Sequence, residues 1–410
     1  MSSINRRRIL QAGTGAAWLA GSGAALAAQD NGATAAIGGR VADKFGACKV
    51  AFTKNFIEGH DIGASFAVIK DGETVVDLWG GHADAARTNP WQQDTIVNVY
   101  STTKTMTALC ALVLADRGEL NFDDPVSKYW PEFSANGKSD VRVSHFMSHS
   151  AGLPVWEEQV TYEDLYDWDK MTGLLAAQAP WWEPGTASGY HALTQGYLTG
   201  EVVRRITGQS LGTFFKEQIA DPLDADFHIG TPETADDRVA PLLLWTGDVP
   251  PRELGPHGVK VFSNPSRVPN GRELSDSVEW RRAEIPAANG HGSALGIARA
   301  QSVMAQGGEA NGKRILSEEG ARVALQEQIA GDDLVLGVYL RHGMGYGLQI
   351  GPQPMPNDDV IFWSGRGGSR VIVDMKNRLT IAYAMNQMLP QALGIERTAP
   401  LIQAVYQSLG

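Results

Sequence analysis

Strand-like segments stand at both ends of this chain and helical segments fill its middle, and this order constrains the fold more than any other feature. Near the start, residues 65–69 and 74–79 flank Asp71-Gly72, a dipeptide that tolerates the positive φ angles of a two-residue hairpin turn. Near the end, residues 345–350, 360–363, 370–374 and 379–384 read as four strands at short spacing, the last pair joined by a turn at Lys376-Asn377. Between them the apolar spacing turns helical over 105–114, 196–207, 210–219 and 292–307, and a further helix closes the chain over 400–409. Little regular structure is expected over 230–285, a polar, proline-containing stretch. The strands at the two ends belong to one sheet. The expectation is therefore an α/β (α+β) domain over 28–410, with its α/β part over about 40–118 and 291–410 and a mostly helical insertion over about 119–290.

The first 27 residues are read apart from this domain. Asn5-Arg6-Arg7-Arg8-Ile9-Leu10-Gln11 has the twin-arginine form, a small-residue stretch follows, and Ala25-Leu26-Ala27 suits signal cleavage. The expectation is an exported protein, periplasmic or secreted. No later run reaches the 18 or so apolar residues of a membrane span, so no stable span is expected. Net charge is −11, with no basic patch, which argues against nucleic acid as a partner. Two cysteines, Cys48 and Cys110, are too few for a disulfide framework.

The chemistry starts at Ser101-Thr102-Thr103-Lys104, where an extended run hands over to the helix of 105–114. A serine and a lysine three apart share a helix face. The serine hydroxyl needs a neighbour to take its proton, and an amine can do so once burial lowers its pKa. The competing reading is an N-cap serine beside a solvated lysine. Tyr190-His191-Ala192 lies in a loop before the helix of 196–207, where a tyrosine could serve as base or as an ordinary loop residue. Trp363-Ser364-Gly365-Arg366-Gly367-Gly368-Ser369 joins two strands, and its glycines allow close backbone approach to a ligand or simply form a turn. His145 and His149 stand four apart without further metal-ligand spacing, so no metal is expected. Gly208-Gln209-Ser210-Leu211-Gly212 matches G-x-S-x-G, but a helix rather than a strand precedes it, so Ser210 reads as a helix cap. Tryptophans 156, 168, 181, 182 and 245 in the insertion suggest an aromatic-lined cleft, with core packing of most of them as the other reading.

Taken in order, Ser-x-x-Lys, His149-Ser150-Ala151-Gly152-Leu153-Pro154, Trp182-Glu183-Pro184-Gly185, Asn289-Gly290-His291-Gly292 and the glycine-rich strand turn resemble the serine β-lactamase and penicillin-binding-protein-like superfamily. The pattern is most similar to its class C branch and to family VIII carboxylesterases, over about residues 40–408. The resemblance implies a β-lactamase/transpeptidase-like fold, an antiparallel sheet flanked by helices, and no cofactor. It implies that Ser101 is the acylated nucleophile, Lys104 its amine partner and Tyr190 the tyrosine base. It implies an oxyanion hole from the backbone N–H groups of Ser101 and Arg366, and a substrate-binding strand at Trp363, Ser364 and Gly365. Two positions depart from class C: Ala192 stands where an asparagine is usual, and Trp363 where a lysine is usual. Both departures point to small neutral esters as substrates. A β-lactamase, a D-amino peptidase or an acyltransferase on the same site is the alternative, and a non-catalytic binding protein the remaining one. Arg366 and Arg370 are the two cations that could still serve a substrate carboxylate.

Overall fold

The two chain ends meet edge to edge. In the structure, a computed structural model, strands β1 (Ile37–Val41), β2 (Gly63–Lys70), β3 (Glu73–Gly81), β4 (Ile329–Asp332), β5 (Tyr339–His342), β6 (Gly347–Leu348), β7 (Val360–Ser364), β8 (Arg370–Asp374) and β9 (Leu379–Met385) form one nine-stranded sheet. Its order is β1-β3-β2-β9-β8-β7-β6-β5-β4, antiparallel throughout, and the β2–β9 pairing, with Phe66 opposite Tyr383, joins the N-terminal hairpin to the C-terminal meander. Asp71 and Gly72 turn the first hairpin with φ of +52° and +82°, as a primed two-residue turn requires. The structure describes residues 36–246, 253–265, 274–350, 355–389 and 395–410; the expected export segment, 1–27, lies outside them.

Strand alternation sends side chains to two cores. On one face Phe66, Val68, Leu78, Ile372, Ile381 and Tyr383 pack with helices α1 (Gly46–Ile57) and a C-terminal helix (Ile395–Leu409) through Phe52, Leu401 and Val405. On the other, Ala67, Val371, Val373, Ala382 and Ala384 join a larger core with helices α2 (Thr103–Asp116), α3 (Thr194–Thr207) and α4 (Ala294–Ala305). Each large apolar side chain so buried contributes about 1.5–3 kcal/mol. Helix α2 is buried on all sides from Thr103 to Leu114, so it runs through the core rather than over it. It ends at Arg117 and Gly118, the latter at φ +75°, and α3 ends at Gly208 at φ +71°. Cys48 and Cys110 are free and lie in opposite cores.

Short strands tie the insertion to the segment before the site: Phe227–His228 pairs with His291–Gly292, and Val239–Ala240 with Ile96–Asn98, the strand that leads into Ser101. Three expectations need correction. Residues 230–285 carry short helices at Gly258–Ser263 and Val278–Arg282, the second capped by Ser277, whose short apolar runs give too little periodicity to read. The strand expected over 345–350 narrows to Gly347–Leu348, while β1, β4, β5 and α1 were not anticipated. The closing helix starts at Ile395 and carries Pro400 inside it.

Candidate active site

A strained turn presents Ser101. The strand Ile96–Asn98 ends, Tyr100 takes φ +42°, and the chain reverses into the first turn before α2. A non-glycine residue stays in this region only when its surroundings hold it. Here the Tyr100 N–H donates to Asn98 Oδ1 (3.2 Å), and the Thr103 hydroxyl donates to the Tyr100 carbonyl (2.5 Å). The Asn289–Gly292 segment braces the same turn. Val99 N–H donates to Gly290 O (2.9 Å), and Gly290 N–H donates to Thr103 Oγ1 (2.9 Å). A Cβ at Gly290 would come within 2.6 Å of that oxygen, so only glycine fits.

Ser101 Oγ lies between two groups. The Tyr190 hydroxyl donates to it at 2.6 Å, and Lys104 Nζ stands 3.3 Å away. Lys104 is buried, and its amine is further held by the carbonyls of Ala192 (2.7 Å) and Ala287 (2.9 Å). Burial drives its pKa well below the ordinary lysine value. A neutral amine has two hydrogens and one lone pair. When neutral, with both hydrogens given to the carbonyls, Lys104 has its lone pair left for Ser101, as a proton acceptor needs. Lys104 Nζ also sits 4.9 Å from the centre of the Tyr190 ring. Ala192 therefore matters through its backbone carbonyl, a role its side chain did not suggest.

The β7–β8 turn lies against this pair. A Cβ at Gly365 would fall 2.0 Å from Val99 O and 2.4 Å from Ser369 Oγ. The Ser369 hydroxyl donates to Val99 O (2.7 Å) and contacts Thr102 Oγ1 (2.9 Å), seating Trp363-Ser364-Gly365 beside the start of α2. The two arginines part company. The Arg366 guanidinium lies 5.4 Å from the Tyr100 ring centre, next to Ser101, whereas Arg370 stacks on Phe362, which packs on the opposite face of the sheet. Arg366 belongs to the turn, whereas alternation puts Arg370 on the strand face of Ile372, which removes it from the candidate site.

Rings form the wall behind Tyr190. His149 lies 5.0 Å from Tyr190, 5.6 Å from Trp363 and 5.2 Å from His342, centre to centre, and Tyr190 lies 6.0 Å from Trp363. Burial pushes His149 well below the usual imidazole value and takes His191 and His342 down to about 4, so the wall is neutral at pH 7. His145 stands elsewhere, accepting from the Arg142 N–H (3.2 Å). The sequence reading missed Asp333, Thr103 and Ser369. Asp333 starts a loop, a common place for aspartate, and nothing local ties it to a site. Ser210 caps its helix and donates to Glu284 (2.5 Å), as its context suggested. Trp156 and Trp168 pack on Tyr197 in the core rather than lining a cleft.

Known proteins are similar to this chain in sequence and fold. LipL of Mycobacterium tuberculosis, named an esterase/beta-lactamase, is 36% identical over 367 residues, covering 85% of this chain and 82% of its own. A solved structure described as a family VIII carboxylesterase has a TM-score of 0.86 and 42% identity, covering 91% of this chain and 100% of that one. A penicillin-binding protein homologue from Caulobacter crescentus has a TM-score of 0.85 and 38% identity over the same shares. The antiparallel sheet with flanking helices is the fold of these neighbours, as the motifs led us to expect. The family model described as Beta-lactamase matches residues 22–405, and the chain belongs to that family.

Proposed function

We propose that this protein is a serine hydrolase that cleaves carboxylic esters through an acyl-enzyme on Ser101. The observation that carries the reading is the placement of Ser101 Oγ between the Tyr190 hydroxyl at 2.6 Å and the Nζ of buried Lys104 at 3.3 Å. In the first step the Ser101 proton passes to Lys104 Nζ and Oγ bonds to the ester carbonyl carbon. The backbone N–H groups of Ser101 and Arg366 would receive the oxyanion. As the C–O bond breaks, Tyr190 gives its proton to the departing alcohol and regains one from Lys104. Water then attacks the acyl-enzyme by the same route in reverse, releasing acid and freeing Ser101.

Trp363 and Ala192 support small neutral esters over β-lactams, since Trp363 supplies no cation for a carboxylate and Ala192 no side-chain amide. The esterase names among the similar proteins point the same way. The LipL name also carries β-lactamase, so that activity is the second reading. Ser101→Ala should abolish hydrolysis of p-nitrophenyl butyrate, a loss of roughly 10³-fold or more, with nitrocefin run alongside. Wild-type turnover by Ser101→Ala would end the proposal, and nitrocefin turnover equal to ester turnover would favour the second reading. We further propose export by the twin-arginine route, resting on Arg6-Arg7 and Ala25-Leu26-Ala27. Replacing both arginines by lysine should hold the protein in the cytoplasmic fraction, and unchanged export would refute it.

A further inference from the structure

Tyr190 occupies a loop without regular secondary structure, yet its hydroxyl must stay at 2.6 Å from Ser101 Oγ. Something has to fix the root of that side chain. The geometry points to Asp333 as the positioning residue that holds Tyr190 in reach of Ser101. This inference rests on the hydrolase reading above.

Asp333 follows β4 in the loop between the two strands at the far edge of the sheet, and it is buried. Its Oδ1 accepts three backbone N–H groups: Val335 (2.9 Å), Leu336 (2.8 Å) and Tyr190 (3.0 Å). The first two close the aspartate's own turn, as aspartates at loop starts do. Tyr190 stands 143 residues away and plays no part in that turn. The Tyr190 N–H is therefore held by an oxygen that two bonds of the aspartate's own turn already fix in place.

The rest of the loop holds the neighbours of Tyr190. Leu334 N–H donates to Ser188 O (2.8 Å), two residues before the tyrosine. The loop is closed by Asp333 N–H to Val338 O and Gly337 N–H to Asp333 O, both 2.9 Å. His257 N–H and Gly255 N–H bond to Leu334 O and Val335 O, each at 3.0 Å, fastening the loop from the other side. Asp333 thus sets where Tyr190 leaves the backbone, while His149 and Trp363 hold the plane of its ring. A misplacement of about 1 Å at a reacting group can cost roughly 10² in rate.

A double-mutant cycle on p-nitrophenyl butyrate tests this. Asp333→Ala should lower kcat about 10²-fold with KM changed less than about threefold. In a Tyr190→Phe background the same change should cost less than about threefold, because the group it positions is gone. Asp333→Asn keeps a carbonyl oxygen for the three N–H groups and should stay within about tenfold of wild type. Melting curves check that each variant is folded; if Asp333→Ala is not, the cycle is run with Asp333→Ser. Equal losses in both backgrounds, or an Asp333→Asn as damaged as Asp333→Ala, would overturn the inference. If those losses are equal while Ser101→Ala is inactive, the inference fails and the hydrolase reading stands. If Ser101→Ala stays active, the hydrolase reading itself has failed.

Discussion

Lys104 reaches Ser101 from within the core, and its burial determines how it can act. Desolvation depresses its folded pKa, whereas in the unfolded chain it titrates near the ordinary value of about 10.4. Between those two values the unfolded chain binds more protons than the folded one, so stability rises with pH through that window. Lys104→Met has no group titrating there. Wild type should therefore gain stability relative to Lys104→Met between pH 7 and 10, read from urea midpoints at each pH; a flat or falling difference would contradict the neutral buried amine. The same ionisation should shape catalysis. kcat/KM should fall as pH drops through the depressed lysine pKa and level off above it. Lys104→Arg keeps a cation but cannot give up its proton near neutrality, so it should lose roughly 10³-fold in acylation rate, as Lys104→Met does. Arginine retaining wild-type acylation would show that charge, not proton transfer, is what the position supplies.

At the scale of elements, the site is a junction between the turn before α2 and the β7–β8 turn. Gly365 is where they touch. A Cβ there would lie 2.0 Å from Val99 O, a backbone atom that cannot swing aside. Gly365→Ala should therefore push the strand away from Ser101 and lower kcat/KM by about 10²-fold or more. Equal activity of Gly365→Ala and wild type would show that the strand edge does not help form the site. Sequence legibility follows the same division. Ser101 and Lys104 were readable because residues three apart on a helix must meet. The Asp71-Gly72 hairpin and the strand at 379–384 were readable from turn chemistry and β-branched runs. Tyr190 came only from the order of motifs, because a loop tyrosine has no local signature. The edge strand β4 escaped because Ile-Ala-Gly-Asp offers almost no apolar contrast along the strand, although its burial does alternate. Asp333 escaped with it, since its contact spans 143 residues and no spacing rule reaches that far.

Across the whole molecule, the two chain ends are fastened by charge as well as by strand pairing. Arg397 of the C-terminal helix and Asp61, just before β2, form a fully buried ion pair at 3.3 Å. Arg397 also donates to Gln387 O (2.9 Å) and His60 O (2.8 Å), and the Tyr383 hydroxyl donates to Asp61. This cluster packs with the core on the α1 face, across the sheet from Ser101. A buried pair of this kind adds little over an apolar substitute, but removing one partner strands the other charge. Arg397→Leu should therefore destabilise by about 3–5 kcal/mol in urea unfolding, and Asp61→Leu in the same variant should recover much of that loss. Because the cluster is remote from the site, kcat of the folded Arg397→Leu protein should match wild type. If instead kcat fell in parallel with stability, the two faces of the sheet would be coupled, and the site would depend on how the chain ends are joined.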